Sequence, residues 1–331
     1  MIGNRKRRAS LSGIFLLILL VGLPILFAGG ALYGQQAGIA SKYPGDKGIE
    51  NDPDVIFVEN FEEGSLASVR SRWDNVKNPR IMSLSTDVPP GSASTHSLLM
   101  THVGGRGTGG HLYRRLLPGY ERLFARFYVK FDSKSYGIHH FGTNLGGNNP
   151  PTRWPVVRAG YKPPGDKQFW VGAEPHGPAW RWDFYTYWMK MRTNPDKRFW
   201  GNDFINDRNF KVTRGTWISV ELMISMNDPV SASNGELALW IDGKPRIKDG
   251  QVISHFGKGF PRGRWVWDSF LPDPTGKPFE GFQWRTVKKL NVNYVWAYLY
   301  ITKAPRGHVS RVWFDDIVVA KKYIGPIRRA K

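Results

Sequence analysis

The chain has 331 residues, including 37 glycines, 23 prolines and 14% aromatic residues. An apolar fraction of 41% supports a real core and excludes wholesale disorder. The absence of cysteine excludes a disulfide framework, a thiolate metal site and a cysteine nucleophile, and the formal charge of +20 directs attention to polyanionic partners.

Taken in chain order, residues 1–40 come first. Arg5, Lys6, Arg7 and Arg8 precede an uncharged apolar run from Leu11 to about Tyr33, followed by small residues such as Ala37 and Ala40. A basic start, an apolar middle and small residues form a signal peptide, and residues 11–33 are long enough for an uncleaved signal-anchor. Either version exports the rest, making the protein secreted or periplasmic/extracellular, with membrane attachment if the segment stays. Removing the four basic residues of positions 1–40 from the total of +20 leaves +16 on the exported part. No nucleic-acid signature is present, so no nucleic acid is expected as partner. Acidic polysaccharide is the expected partner of a basic exported protein, which reads as a monomer.

Residues 41–54 (SKYPGDKGIENDPD) read as a polar linker. From Val55 onward, short aromatic and β-branched runs alternate with Gly, Pro and Asn clusters, the pattern of strands. The expected strands are VIFVENF (55–61), HSLLMTHV (96–103), LFARFYVKF (123–131), WPVVRAGY (154–161), KQFWVGAE (167–174), RWDFYTYWMKM (181–191), TWISVELMIS (216–225), GELALWIDG (235–243), NYVWAYLYIT (293–302) and RVWFDDIVVAKKY (311–323). No internal repeat and no second linker appears. One domain over residues 55–325 and a basic tail over 326–331 account for the remainder.

Side chains at i and i+2 of a strand share a face. Phe127, Val129 and Phe131 therefore oppose Arg126, Tyr128 and Lys130, and Asp183, Tyr185 and Tyr187 oppose Phe184, Thr186 and Trp188. Ile218, Val220, Leu222 and Ile224 oppose Ser219 and Glu221, while Tyr294, Trp296, Tyr298 and Tyr300 oppose Val295, Ala297, Leu299 and Ile301. The fold class is all-β, a two-sheet antiparallel β-sandwich of jelly-roll type. Aliphatic faces pack between the sheets, and aromatic-polar faces line an open concave cleft suited to the flat faces and hydroxyls of sugars.

Three segments carry a resemblance: ARFYVKFDSKSYGIHHFGTNLGG, with a strand running into a glycine-rich stretch; the Tyr-x-Tyr of Tyr185-Thr186-Tyr187; and the opening VENFEEG with the closing VWFDDIVVAKKYIG. From about Val55 to Gly325 the chain resembles the concanavalin-A-like jelly-roll polysaccharide lyases, the alginate-lyase and glucuronan-lyase group, and their fungal cellulose-induced relatives. The resemblance implies β-elimination on a uronic-acid polymer. It also implies a structural Ca2+ site at Glu59 and Asp315, with Glu63 or Asp316 as substitutes. The sequence departs from the alginate-lyase pattern by offering His139 or His140 where that pattern has a lysine.

Elimination needs a neutraliser for the carboxylate, a base for the C5 proton and an acid for the O4 leaving group. The candidates are His140 or His139 as base or carboxylate partner, Tyr187 or Tyr185 as acid/base, and Arg158 or Arg126 as substrate clamp. Asn144 or Gln168 can neutralise the carboxylate, and Tyr128, His176, Trp296 and Tyr298 complete the expected substrate surface. In an extended strand adjacent residues point to opposite faces, so only one of the two histidines is expected to look into the cleft, His140 by preference. The nine glutamates form no E-x-D-x-x-E pattern, and no G-x-S-x-G, phosphate loop or HExxH occurs. Two alternatives are a non-catalytic, lectin-like protein of the same fold and an envelope protein that binds anionic polymers by charge alone.

Overall fold

The computed structural model describes residues 37–156 and 158–329; most of the expected signal segment, including the 11–33 run, lies outside them. The described chain is an antiparallel β-sandwich. One sheet has the strand order His255–Phe256, Glu236–Ile241, Trp217–Ser225, Arg122–Phe131, Val309–Ala320, Ser97–Val103 and Met82–Ser85. Val55–Glu59 joins it alongside the second half of Val309–Ala320. The other sheet runs Asn75–Lys77, Gly109–Tyr120, Val292–Tyr300, His140–Asn148, Gln168–His176 and Arg181–Tyr187.

The period-2 pattern decides which faces meet. Phe127, Phe131 and Phe314 of the larger sheet pack on Phe141 of the smaller, with ring centroids 6.1, 4.8 and 5.1 Å apart respectively. All four are fully buried, each such ring contributing about 1.5–3 kcal/mol by leaving water. Val295, Ala297 and Leu299 join the same core, which turns Tyr294, Trp296, Tyr298 and Tyr300 to the opposite face of the smaller sheet.

Three expectations are corrected. Residues 41–54 are not a linker: three short 3-10 helices, Ile39–Lys42, Pro44–Asp46 and Ile49–Asn51, cover the outer face of the larger sheet. Ile39, Ala40 and Ile49 are buried there with Phe124, Met223 and Trp240, and Asp46 pairs with Arg126. The start of the expected basic tail is likewise part of the fold, because the Ile327 N–H donates to the Tyr128 hydroxyl at 2.8 Å. Residues 154–156 and 158–161 form no strand, the segment carrying Pro155 and running into Pro163 and Pro164.

Candidate active site

Two strands of the smaller sheet escape a propensity reading because they are glycine-rich. Gly109–Tyr120 (GGHLYRRLLPGY) and His140–Asn148 (HFGTNLGGN) look like loops, yet both pair with Val292–Tyr300, the first with a bulge before Tyr120. The reason is crowding by large neighbours. A Cβ on Gly146 would collide with the Tyr294 hydroxyl and lie 2.6 Å from the Phe169 carbonyl oxygen. One on Gly172, in the next strand, would lie 2.6 Å from Asn144 Oδ1. Glycine at these positions lets tyrosine rings and a buried amide lie flat over the sheet.

The exposed side of this sheet holds a cavity of about 490 Å³. Trp170 stacks on Tyr187 with centroids 5.0 Å apart at 11°, and Trp296 stacks on Tyr298 at 4.2 Å and 11°. These rings form the apolar floor. At one end of it His140 opens its strand, with Nδ1 3.3 Å from Glu174 Oε1. The other Glu174 oxygen accepts the Phe141 N–H at 3.2 Å, which fixes the carboxylate under the imidazole. A carboxylate only accepts, so Nδ1 is the donor in this contact.

Tyr185 lies against that imidazole, its ring centroid 4.5 Å away, and its hydroxyl hydrogen-bonds that of Tyr187. Burial pushes both phenols up, and Tyr185 is raised further by Tyr187 and Glu174, so both stay protonated and able to donate. The Tyr187 hydroxyl in turn donates a hydrogen bond to the Phe199 carbonyl at 3.0 Å. His111 is pushed down to about 4 by burial and by Lys77, and therefore faces the cavity as a neutral ring.

His139 and His140 both line the cavity. The alternation argument fails because His139 sits in a bend just before the strand begins. Its ring stacks on His140 at 4.4 Å and 25°, and Nδ1 lies 3.0 Å from the Thr302 hydroxyl. Burial, then the neighbouring His140, push its pKa down.

Of the remaining expected residues, Tyr185, Tyr187, Trp296 and Tyr298 converge here. Asn144 is fully buried in the floor, where its amide faces the Tyr298 hydroxyl. Arg158 is an exposed rim residue lying 3.6 Å over the Tyr161 ring. Gln168 sits at one end of its strand opposite Asn148, and His176 at the other end, 3.3 Å from Asp203; neither lines the cavity. Arg126 and Tyr128 are corrected: they belong to the other sheet. Arg126 is fully buried, paired with Asp46 and donating to the Asp316 carbonyl at 3.1 Å, so it cannot clamp substrate. Their polar face is outward, as expected, but the N-terminal helices cover it.

Sequence reasoning missed Glu174, Trp170, Trp200, His111 and Lys77. The signal for Glu174 and Trp170 was present in KQFWVGAE, where both share a face through Gly172.

At the expected calcium site Glu59 is taken up by protein donors, whereas Asp315 and Asp316 each keep one buried carboxylate oxygen without a partner. The Glu59 carboxylate accepts from the Phe61 N–H at 3.0 Å, Trp73 Nε1 at 2.9 Å and Arg72 at 3.4 Å. Arg72 also pairs with Glu63, so a guanidinium supplies the positive charge that a cation would bring. Asp315 accepts the Asp316 N–H at 2.7 Å and is pushed well up by burial and by Asp316, while Asp316 accepts from the Ser94 hydroxyl at 3.0 Å. Among the described residues no group of three or more His, Asp or Glu side chains is placed to hold a metal ion.

No family model and no curated protein matches this sequence. Among solved structures, the crystal structure of alginate lyase vAL-1 from Chlorella virus is similar over 81% of this chain and 100% of that one, with a TM-score of 0.51 at 12% identity. The two share a jelly-roll β-sandwich fold. The endo-β-1,4-glucuronan lyase from the fungus Trichoderma reesei is similar over 81% of this chain and 95% of its own, with a TM-score of 0.40 and 16% identity. The cellulose-induced protein Cip1 matches over 82% and 99%, with a TM-score of 0.43 and 14% identity. These are the groups that the sequence resembles, and at 12% identity the likeness to the Chlorella virus alginate lyase speaks for the fold alone.

Proposed function

We propose that this chain is an exported lyase that cleaves a uronic-acid polysaccharide by β-elimination in the aromatic cleft. The observation that carries the reading is the convergence of a carboxylate-oriented histidine and a buried phenol over one sugar-sized floor. His140 Nε2 takes the C5 proton, the released electron pair forms the C4–C5 double bond, and the C4–O bond breaks. Tyr185 donates its proton to the leaving glycosidic oxygen and is reprotonated through Tyr187 and solvent. His139 and Lys77, the cationic or protonatable groups at the rim, are assigned to the substrate carboxylate.

The solved lyases of similar fold act, by their descriptions, on alginate and glucuronan, which makes those polymers the first substrates to try. Export rests on the basic and apolar N-terminus, and an acidic glycan partner on the +16 charge that remains beyond it. The test is incubation with alginate, glucuronan, pectate and glycosaminoglycans, followed by ultraviolet absorbance of the unsaturated uronate. One of them should give rising absorbance.

One observation favours a second reading. Among the described residues no arginine lines the cavity, whereas bidentate guanidinium contacts are the strongest way to hold a carboxylate. A lectin-like protein would bind these polymers with no absorbance change on any.

A further inference from the structure

A second surface lies outside the cleft, on the small sheet in which Arg262–Val266 pairs with Ser269–Pro272 and Lys277–Pro278. Val266 pairs with Ser269, so Trp267 and Asp268 form a two-residue turn. Trp267 is 59% exposed and has φ +54°. A bulky side chain is disfavoured in this left-handed region, and such turns favour Gly, Asn or Asp. Nothing in the packing of the sandwich requires tryptophan at this tip. Strain kept at an exposed aromatic points to use by a ligand.

Trp265, two residues earlier on the strand, is held as a rigid plate. Its Nε1 donates to Glu280 at 3.1 Å, and its ring packs on Phe204 and Phe270 at 5.5 and 5.4 Å. The Arg192 guanidinium lies 4.8 Å over it. Two grooves of about 870 and 470 Å³ meet at this Arg192–Trp265 pair. Lys162, Arg192, Arg262, Arg264 and Lys277 line them, with Glu280 as the single acid, and Trp267 forms part of the second groove. Phe199 also lines that groove, while its neighbour Trp200 lines the cleft, so groove and cleft adjoin across one loop.

We propose that this groove is a second, non-catalytic binding surface for an acidic polysaccharide. Trp265 and Trp267 serve as stacking plates, and Arg192, Arg264 and Lys162 contact the carboxylate or sulfate groups. A fixed indole flanked by guanidinium groups matches alternating sugar faces and planar anions. A lipid surface would instead call for apolar side chains clustered on a projecting tip, whereas Trp267 shares its groove with Lys162 and Phe199. The assignment does not depend on turnover in the cleft.

The test measures binding of alginate, polyglucuronate and heparin to the full chain and to Trp267→Asn, Arg264→Gln and their double variant. Asparagine is at home in the left-handed turn, so Trp267→Asn should keep or raise the thermal midpoint. Each single variant should lose about tenfold affinity for at least one polymer, the scale of one lost stacking or charge contact, with binding of a tetrasaccharide unchanged. The proposal is overturned if the native chain binds none of the three, or if the double variant binds all three as tightly as the native chain. It is also overturned if only Arg264→Gln has an effect, or if the variants lose phosphatidylglycerol vesicles and not polymer.

Discussion

Glu174 sets the chemistry of His140 from the adjacent strand: Oε1 lies 3.3 Å from Nδ1, and the second oxygen is tied to the Phe141 N–H at 3.2 Å. The pair makes Nδ1 the donor, and the proposed mechanism uses Nε2 as the base. Glu174→Gln keeps the size and an oxygen for the Phe141 N–H but no longer fixes the tautomer. It should lower kcat by roughly 10²-fold or more, the range of a lost general base. Equilibrium binding to a non-cleaved oligosaccharide should stay within about twofold, a difference under 0.5 kcal/mol. Equal loss of binding and turnover would make Glu174 a merely structural residue.

The segment 37–54 is expected to be essential for stability, not a dispensable leader. Arg126 is fully buried and its countercharge is Asp46. Asp46→Ala leaves that guanidinium without a carboxylate and should cost about 3–5 kcal/mol, the usual penalty for breaking a buried pair. Urea unfolding measures it. Replacing both partners by Leu and Met should restore most of the loss, and an unchanged single variant would refute the role.

The glycines of the cleft floor are a packing requirement. Gly146→Ala places a methyl against the Tyr294 hydroxyl and the Phe169 carbonyl, and should cost about 1–3 kcal/mol by overpacking. Removing the hydroxyl with Tyr294→Phe should recover part of that cost, read as non-additivity of thermal midpoints. Full additivity would place the strain elsewhere.

Stability should fall in mild acid through His111. Its folded pKa is about 4, against about 6.5 unfolded. Between these values the unfolded chain holds a proton that the folded chain does not. Its contribution is complete above about pH 6.5 and is lost as pH drops toward 4. His111→Gln should bring the slope of unfolding free energy against pH down by one proton in that window. An unaltered slope would contradict a neutral His111.

The sandwich was legible because alternation in LFARFYVKF, RWDFYTYWMKM and NYVWAYLYIT reports burial directly, and the structure turns the faces as that alternation requires. The convergence of His140, Tyr185 and Tyr187 was legible for the same reason. What was hidden depends on neighbours far apart in the chain. HFGTNLGGN reads as a loop until Tyr294 and Phe169 are placed against its glycines. Arg126 reads as a solvated clamp until Asp46 and the 3-10 helices cover it. The stacking of His139 on His140 was missed because the strand starts one residue later than the alternation argument assumed.

On the proposed mechanism the cleft breaks the glycosidic bond by removing a proton, without adding water. This is tested most directly by cleaving a uronate polymer in heavy-oxygen water and weighing the products. The account predicts unsaturated ends without solvent oxygen, formed by the native chain and lost on Tyr185→Phe. Saturated ends that carry the heavy oxygen, or no cleavage of any uronate polymer, would contradict it.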